Sequence, residues 1–358
     1  MRKIVLLLTI LVILPLFSLK ISADDSVDGY ISDFENSLPD GFRGMTDSEK
    51  LIDMASPDSL LSYLIGGISG EKSKIISFLF TLLGSATLIS LASLCHGTLS
   101  DQAQAAVGVI CSMLIFSGIS PLIATVTEGI SALSKFFASL IPITVGITAL
   151  GGGSATASAQ AVGMYTALSS VGGLGGEIFL SLSAFGLAMS LLSSFGNEGV
   201  GSVTRGFRSL FGWLTGIFTA LLTAAFSLQT IVASSVDRGA MRAIKYAASG
   251  LIPVVGSTVS GAISTLASGL SYAKGIIGGG AILVMLYMAI SPLAVLLIYR
   301  LALTMAGIFA DFASSTVASR IFSSYRFALD MTVTVYSLSA LIYLFEIIIF
   351  TLIGVAAL

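Results

Sequence analysis

IIGGGAILVMLYMAISPLAVLLIY, residues 276–299, runs for 24 residues without a charged side chain. A helix rises 1.5 Å per residue and crosses about 30 Å of hydrocarbon in roughly 20 residues. This stretch is long enough to span a bilayer. Other windows pass the same test at 75–95, 104–126, 140–167, 174–195, 210–234, 250–272 and 332–356. The whole chain agrees: 55% of its residues are hydrophobic, 10% are charged and its mean hydropathy is +0.99. Soluble domains carry about a quarter charged residues, so this chain lacks the polar surface to coat a particle in water. The expected fold is an all-α polytopic membrane protein with seven or eight transmembrane helices. Residues 300–330 are more mixed, punctuated by Arg300, Asp311, Arg320, Arg326 and Asp330, and read as an interfacial helix.

The amino terminus has its own pattern. Arg2 and Lys3 precede an apolar run from Ile4 to Leu19, and small residues end at Ala23. Residues 1–23 read as a secretory signal peptide, with an uncleaved anchor helix as the alternative. Residues 24–58 then hold ten of the nineteen acidic residues, against Arg43 and Lys50 as the only bases. The segment 24–73 is expected to be extracytoplasmic, with short helices near 28–37 and 47–64. It serves either as a solvated leader or as a docking surface for another envelope protein. The polytopic region would fill 74–358.

Several function classes are set aside by composition. A net charge of −2 offers no basic face for nucleic acid. Cys95 and Cys111 lie in apolar runs and read as buried thiols, and His96 reads as interfacial. No spacing of Ser, His, Asp or Lys forms a catalytic constellation, so the chain is not expected to be an enzyme or to hold a cofactor or metal.

Two stretches repeat. KFFASLIP (135–142) aligns with KYAASGLIP (245–253), with Gly250 inserted. A small-residue-rich stretch follows each copy, and then Gly-Gly-Glu-Ile (175–178) or Gly-Gly-Ala-Ile (279–282). The pattern suggests two copies, 104–199 and 210–300, each with three spans, so the second would enter the membrane inverted. Proline removes an amide donor and breaks helices, and inverted-repeat transporters place their sites at such breaks. Pro142 and Pro253, with Gly256, are therefore candidate breaks lining a polar path. Chance similarity in small-residue-rich apolar sequence is the competing account.

Ionisable residues inside spans are costly and mark function or pairing. Glu177 and Glu346 are the candidates. Asp237, Arg238, Arg242 and Lys245 form a charged amphipathic stretch expected to anchor the second break at an interface. With eight spans and an external amino terminus, that cluster and Arg320/Arg326 fall inside, and Arg205/Arg208 fall outside. Small residues at 151–159 and 256–269, and Gly212 with Gly216 spaced as GxxxG, suit close helix packing.

SVDRGAMRAIKYAASGLIPVVG (235–256) resembles the central signature of the stage III sporulation protein AE family. The signal peptide, acidic leader and polytopic remainder are similar to that family too. The resemblance implies a subunit of a channel or secretion-like complex in the mother-cell membrane around the forespore. Its partners would be other membrane proteins of that complex, the lipid bilayer and further copies of itself. A stand-alone small-molecule permease with an inverted-repeat core is the alternative.

Overall fold

A computed structural model describes residues 25–44, 46–92, 98–150, 154–192, 202–225, 227, 256–313 and 315–356. Among them every regular element is helical. Four short elements come first: α1 (Asp25–Ser37), a 3-10 turn (Asp40–Phe42), α2 (Ser48–Met54) and α3 (Pro57–Gly70). Longer helices follow: α4 (Lys72–Ala92), α5 (Thr98–Leu150), α6 (Ser154–Ser169) and α7 (Leu180–Leu192). A π-helical stretch, Ser170–Phe179, joins α6 to α7. The last three are α8 (Ser202–Ala225), α9 (Gly256–Phe312) and α10 (Thr316–Ala356). The signal peptide, Cys95 and His96 lie outside the described residues.

Six of these helices, counting α6 through α7 as one, are long and apolar enough to cross a membrane. Among the described residues the eight sequence windows map onto six helices, because some of them join. The described part of window 250–272, from Gly256 on, and window 276–299 lie on a single 57-residue helix, α9, which also absorbs the first part of the expected interfacial segment. At 1.5 Å per residue α9 is about 85 Å long, far more than one hydrocarbon core. Window 104–126 and the start of 140–167 likewise lie on α5, which is 53 residues long.

The expected break at Pro142 is not there. α5 runs unbroken through both Pro121 and Pro142. Pro142 sits at an exposed position of the helix. The hydroxyl of Thr144 donates to the carbonyl of Leu140 at 2.9 Å, the ordinary i−4 bond of a continuing helix. Pro253 lies outside the described residues. The two Gly-Gly-X-Ile segments also sit in unlike settings. The first is π-helical, whereas the second is regular, wholly buried α-helix within α9.

Contacts fix the direction of every long helix. Phe78 meets the Gly118 position and Cys111 reaches the Ser85 carbonyl, so α4 and α5 are antiparallel. Thr148 bonds Gln160 and Thr144 bonds Met164, closing an antiparallel α5–α6 hairpin. Ser112–Tyr325 and Ser134–Tyr343 pair α5 with α10 in parallel. Phe179 with Phe218 and Phe185 with Phe207 set α7 antiparallel to α8. Met288–Tyr336 and Arg300–Asp330 do the same for α9 and α10. These six described helices therefore alternate up and down, as successive crossings of one membrane do.

The acidic leader is not a loose tail. Phe34, Leu38, Phe42 and Leu51 are buried against the bundle. Tyr287 of α9 donates to the Met54 carbonyl at 2.8 Å, and its ring packs edge-on against Tyr63. Gly146 of α5 lies under Tyr30. The acidic side chains of this segment take the outward positions, because its apolar residues are spent on the bundle.

Candidate functional site: buried charges on the α9–α10 seam

Residues 273–285 of α9 are buried around the full circumference of the helix. Only a helix at the centre of a bundle can be covered on every side. The run AKGIIGGGAILVM permits this because three consecutive glycines let neighbouring backbones close in. Gly278 shows how tightly: a Cβ there would collide with the Thr351 hydroxyl and lie 3.3 Å from its Cβ and Cγ2.

One side chain in this run is charged. Lys274 is 5% exposed, and its Nζ lies 4.5 Å from the centre of the Phe350 ring on α10. A buried ammonium loses its hydration, and the negative ring face restores part of that loss. Among the described residues Lys274 makes no ion pair. Glu346, one turn before Phe350 on α10, is completely buried. The antiparallel register set by Gly278–Thr351 and Met288–Tyr336 puts Glu346 at about the height of Ala281, just past the glycine run. Two ionisable groups of opposite sign thus lie buried near one another along the bundle, Lys274 on α9 and Glu346 on α10.

The same end of the bundle holds further buried polar groups. Thr148 donates to Gln160 Oε1 at 2.7 Å, and Thr144 approaches the Met164 sulfur at 3.2 Å. Ser134 donates to the Ile130 carbonyl at 2.8 Å and accepts from Tyr343 at 2.7 Å. These groups satisfy one another between helices, as polar side chains in lipid must.

Of the residues singled out from sequence, Glu346 reaches this seam. Glu177 does not: it is exposed on the π-helical stretch. Pro142 faces outward on α5, and Gly256 is the first residue of α9. Asp237, Arg238, Arg242, Lys245 and Pro253 lie outside the described residues. Lys274 was missed because it falls between two hydropathy windows, where a lysine reads as a loop residue. The signal that would have found it is the absence of any breaker beside it other than glycine. Among the described residues no group of His, Cys, Asp and Glu is arranged to hold a metal.

Arg205/Arg208 and Arg320/Arg326 need a second correction. Eight spans would put them on opposite sides of the membrane. Instead Arg208 lies over the Phe327 ring, 4.9 Å from its centre, beside Arg326. Fusing two windows into α9 removes one crossing between the clusters, and both fall at the same end.

The alternating apolar helices and their buried charges define an all-α polytopic membrane protein. A family model for stage III sporulation protein AE matches residues 42–356, so the chain belongs to that family. The stage III sporulation protein AE of Bacillus subtilis (strain 168) is 25% identical over 277 residues, covering 69% of each chain. No solved structure matches. Membership assigns the chain a role in sporulation, and its apolar helices make it a membrane protein.

Proposed function

We propose that the chain is a non-enzymatic membrane subunit of a channel or secretion-like complex linking mother cell and forespore. It would reside in the mother-cell membrane and work with other membrane proteins of the same complex. The observation that supports this most is the pair Lys274 and Glu346 in the core of the bundle. A helix bundle that served only as an anchor would fill these positions with apolar side chains, because each buried charge in a membrane costs several kcal/mol. Charges kept there point to work on ions or on a polar path.

The test replaces Lys274→Met and Glu346→Gln separately in a spore-forming host. Heat-resistant spores are counted, and protein amount is measured by immunoblot. The expected result is a loss of spore titre at normal protein amount. Wild-type titres for both variants would remove the seam from the functional reading. Capture of sporulation membrane proteins with the full chain tests the complex itself. Solute binding by the isolated chain without such partners would favour a stand-alone permease.

A further inference from the structure

Basic side chains from three helices converge on one face of α10. Arg208 of α8 lies over the Phe327 ring, 4.9 Å from its centre, and Arg300 of α9 pairs with Asp330. Phe327 and Asp330 are three residues apart on one helix and share a face. α8 and α9 therefore both border that face. It also carries Ser323 and Arg326, four residues before Phe327 and Asp330, and Arg320 one turn earlier. Arg208, Arg320 and Ser323 are exposed, and Arg326 is half-buried.

This face lies at membrane depth. Tyr325 bonds Ser112 of α5, and Cys111 reaches the Ser85 carbonyl of α4, so the turn at 325–327 is level with Ser85. Phe78 packs on Tyr299 with ring centres 4.7 Å apart, which levels Arg300 with the next turn of α4. α4 has 21 residues, about 31 Å, or one hydrocarbon core. Ser85 lies about 20 Å from the Lys72 end and about 10 Å from the Ala92 end. Neither guanidinium snorkels to a headgroup, because one is held over Phe327 and the other by Asp330. Near the same level, Leu83 of α4 and Ile110 and Leu114 of α5 present an apolar exterior. Over these turns α8, α9 and α10 carry Arg205, Arg208, Arg300, Arg320 and Arg326 against Asp311 and Asp330. Asp330 is engaged by Arg300, and Asp311 lies toward the Ala92 end, level with Arg320.

Exposed guanidinium groups at this depth are costly against acyl chains and stable against water. The surplus of basic over acidic groups must then be balanced by mobile anions. We propose that the arginine face of α8, α9 and α10 lines a water-filled path in the assembled complex, and that this path selects small anions. The inference rests on the channel reading above and adds the charge of the solute to it. Rings of basic side chains give pores their preference for anions. A polar groove between apolar walls focuses the field of its charges and concentrates the counter-ion. Guanidinium groups match the planar oxygens of carboxylates and phosphates. An acidic helix of a partner would neutralise the same face, but it would also seal that face from water.

Thiol accessibility in membranes of sporulating cells tests this with the complex intact. Ser323→Cys puts a thiol on the arginine face, and Leu83→Cys puts one near the same level on the apolar exterior. Each is treated with two membrane-impermeant methanethiosulfonates, one bearing a sulfonate and one a trimethylammonium group. The chain without an added cysteine is the blank for Cys95 and Cys111. Rates are divided by those of free 2-mercaptoethanol, which removes intrinsic differences between the reagents. Ser323→Cys should react with both, the sulfonate being favoured about tenfold, and high salt should shrink that preference. Leu83→Cys should stay unmodified. Adding Arg208→Gln/Arg320→Gln should abolish the preference while the thiol still reacts, and Arg208→Lys alone should keep it. An immunoblot for normal protein amount checks that the variants fold. No reaction at Ser323→Cys overturns the proposal, because lipid or an acidic partner then covers the face. Equal rates for the two reagents, a faster cationic reagent, or preference retained without the two arginines overturns it as well. So does modification of Leu83→Cys as fast as Ser323→Cys. Failure of the channel reading shows separately, as capture with the full chain that brings down no sporulation membrane proteins.

Discussion

Substituting Gly278→Ala tests how the central seam is built. The added Cβ would fall on the Thr351 hydroxyl and press on two more atoms of that side chain at 3.3 Å. Thr351 has little freedom to retreat: it is β-branched, buried, and donates to the Ile347 carbonyl at 2.8 Å. Either α9 and α10 separate, or Thr351 rotates and gives up its bond. Overpacking a tight core costs about 1–3 kcal/mol, and a lost hydrogen bond about 1 kcal/mol. Alanine's better helix propensity returns ~1 kcal/mol. The net is a loss of about 1–3 kcal/mol, or roughly 2–9 °C in Tm at the few degrees per kcal/mol expected of a large chain. Thermal unfolding in detergent, followed by Trp213 fluorescence, measures this. Gly216→Ala on α8 is the control. Its Cβ meets nothing within 4 Å, so Tm should hold or rise. Adding Thr351→Ala to Gly278→Ala should recover part of the loss, because it removes the hydroxyl and one of the crowded methyl positions. An unchanged Tm for Gly278→Ala, or no recovery in the double variant, would refute the close approach of the two helices.

Further outcomes follow from single contacts. Pro142→Ala restores an amide donor at an exposed position inside a continuous helix. It should raise Tm by several degrees and leave spore titre unchanged, and a loss of titre at normal stability would return a working role to that proline. Tyr325→Phe removes a hydroxyl that accepts from Ser112 Oγ at 2.9 Å and donates to the Ser112 carbonyl at 2.8 Å. The expected loss is about 0.6–1.5 kcal/mol, and a double-mutant cycle with Ser112→Ala should show the two coupled. Arg300→Ala breaks a partly exposed ion pair and should cost no more than ~1 kcal/mol. The exchange Arg300→Asp with Asp330→Arg should recover most of that loss, measured by the same unfolding scan.

How much of this was legible in the sequence depended on which physical quantity each feature needs. Apolar length is a local sum, so the membrane class and most helical stretches were readable. The leader helices expected near 28–37 and 47–64 appear at Asp25–Ser37, Ser48–Met54 and Pro57–Gly70. Glu346 was readable because a lone acid in a long apolar run is costly in hydrocarbon and stands out against its neighbours. The number of crossings was not, because a hydropathy window measures apolar content and not helix continuity. Lys274 and Pro142 both resemble punctuation, yet neither ends its helix. A lysine can be absorbed when a Phe350 ring and three glycines wait on the same seam. A proline can be absorbed at an exposed position of a helix held by its other contacts. The register between helices was invisible for the same reason. It is set by pairs more than a hundred residues apart, such as Ser112 with Tyr325 and Ser190 with the Ser324 carbonyl.

Those distant pairs share one member. α10 binds α5 through Tyr325 and Tyr343, α7 through the Ser324 carbonyl, α8 through Phe327, and α9 through Tyr336 and Asp330. In lipid, apolar burial barely distinguishes a helix neighbour from an acyl chain, so close packing and hydrogen bonds must choose partners. Tyrosine serves both ends. Its ring fills the contact as a large apolar body, and its hydroxyl finds one acceptor at one height. The three tyrosines Tyr325, Tyr336 and Tyr343 recur at intervals that keep them near one stripe of α10, and each hydroxyl finds a partner on another helix. That stripe fixes the register that sets the height of Glu346 beside α9. The buried charges are therefore positioned by hydroxyl bonds at a distance, and a variant that slips α10 by one turn would displace Glu346 without touching it.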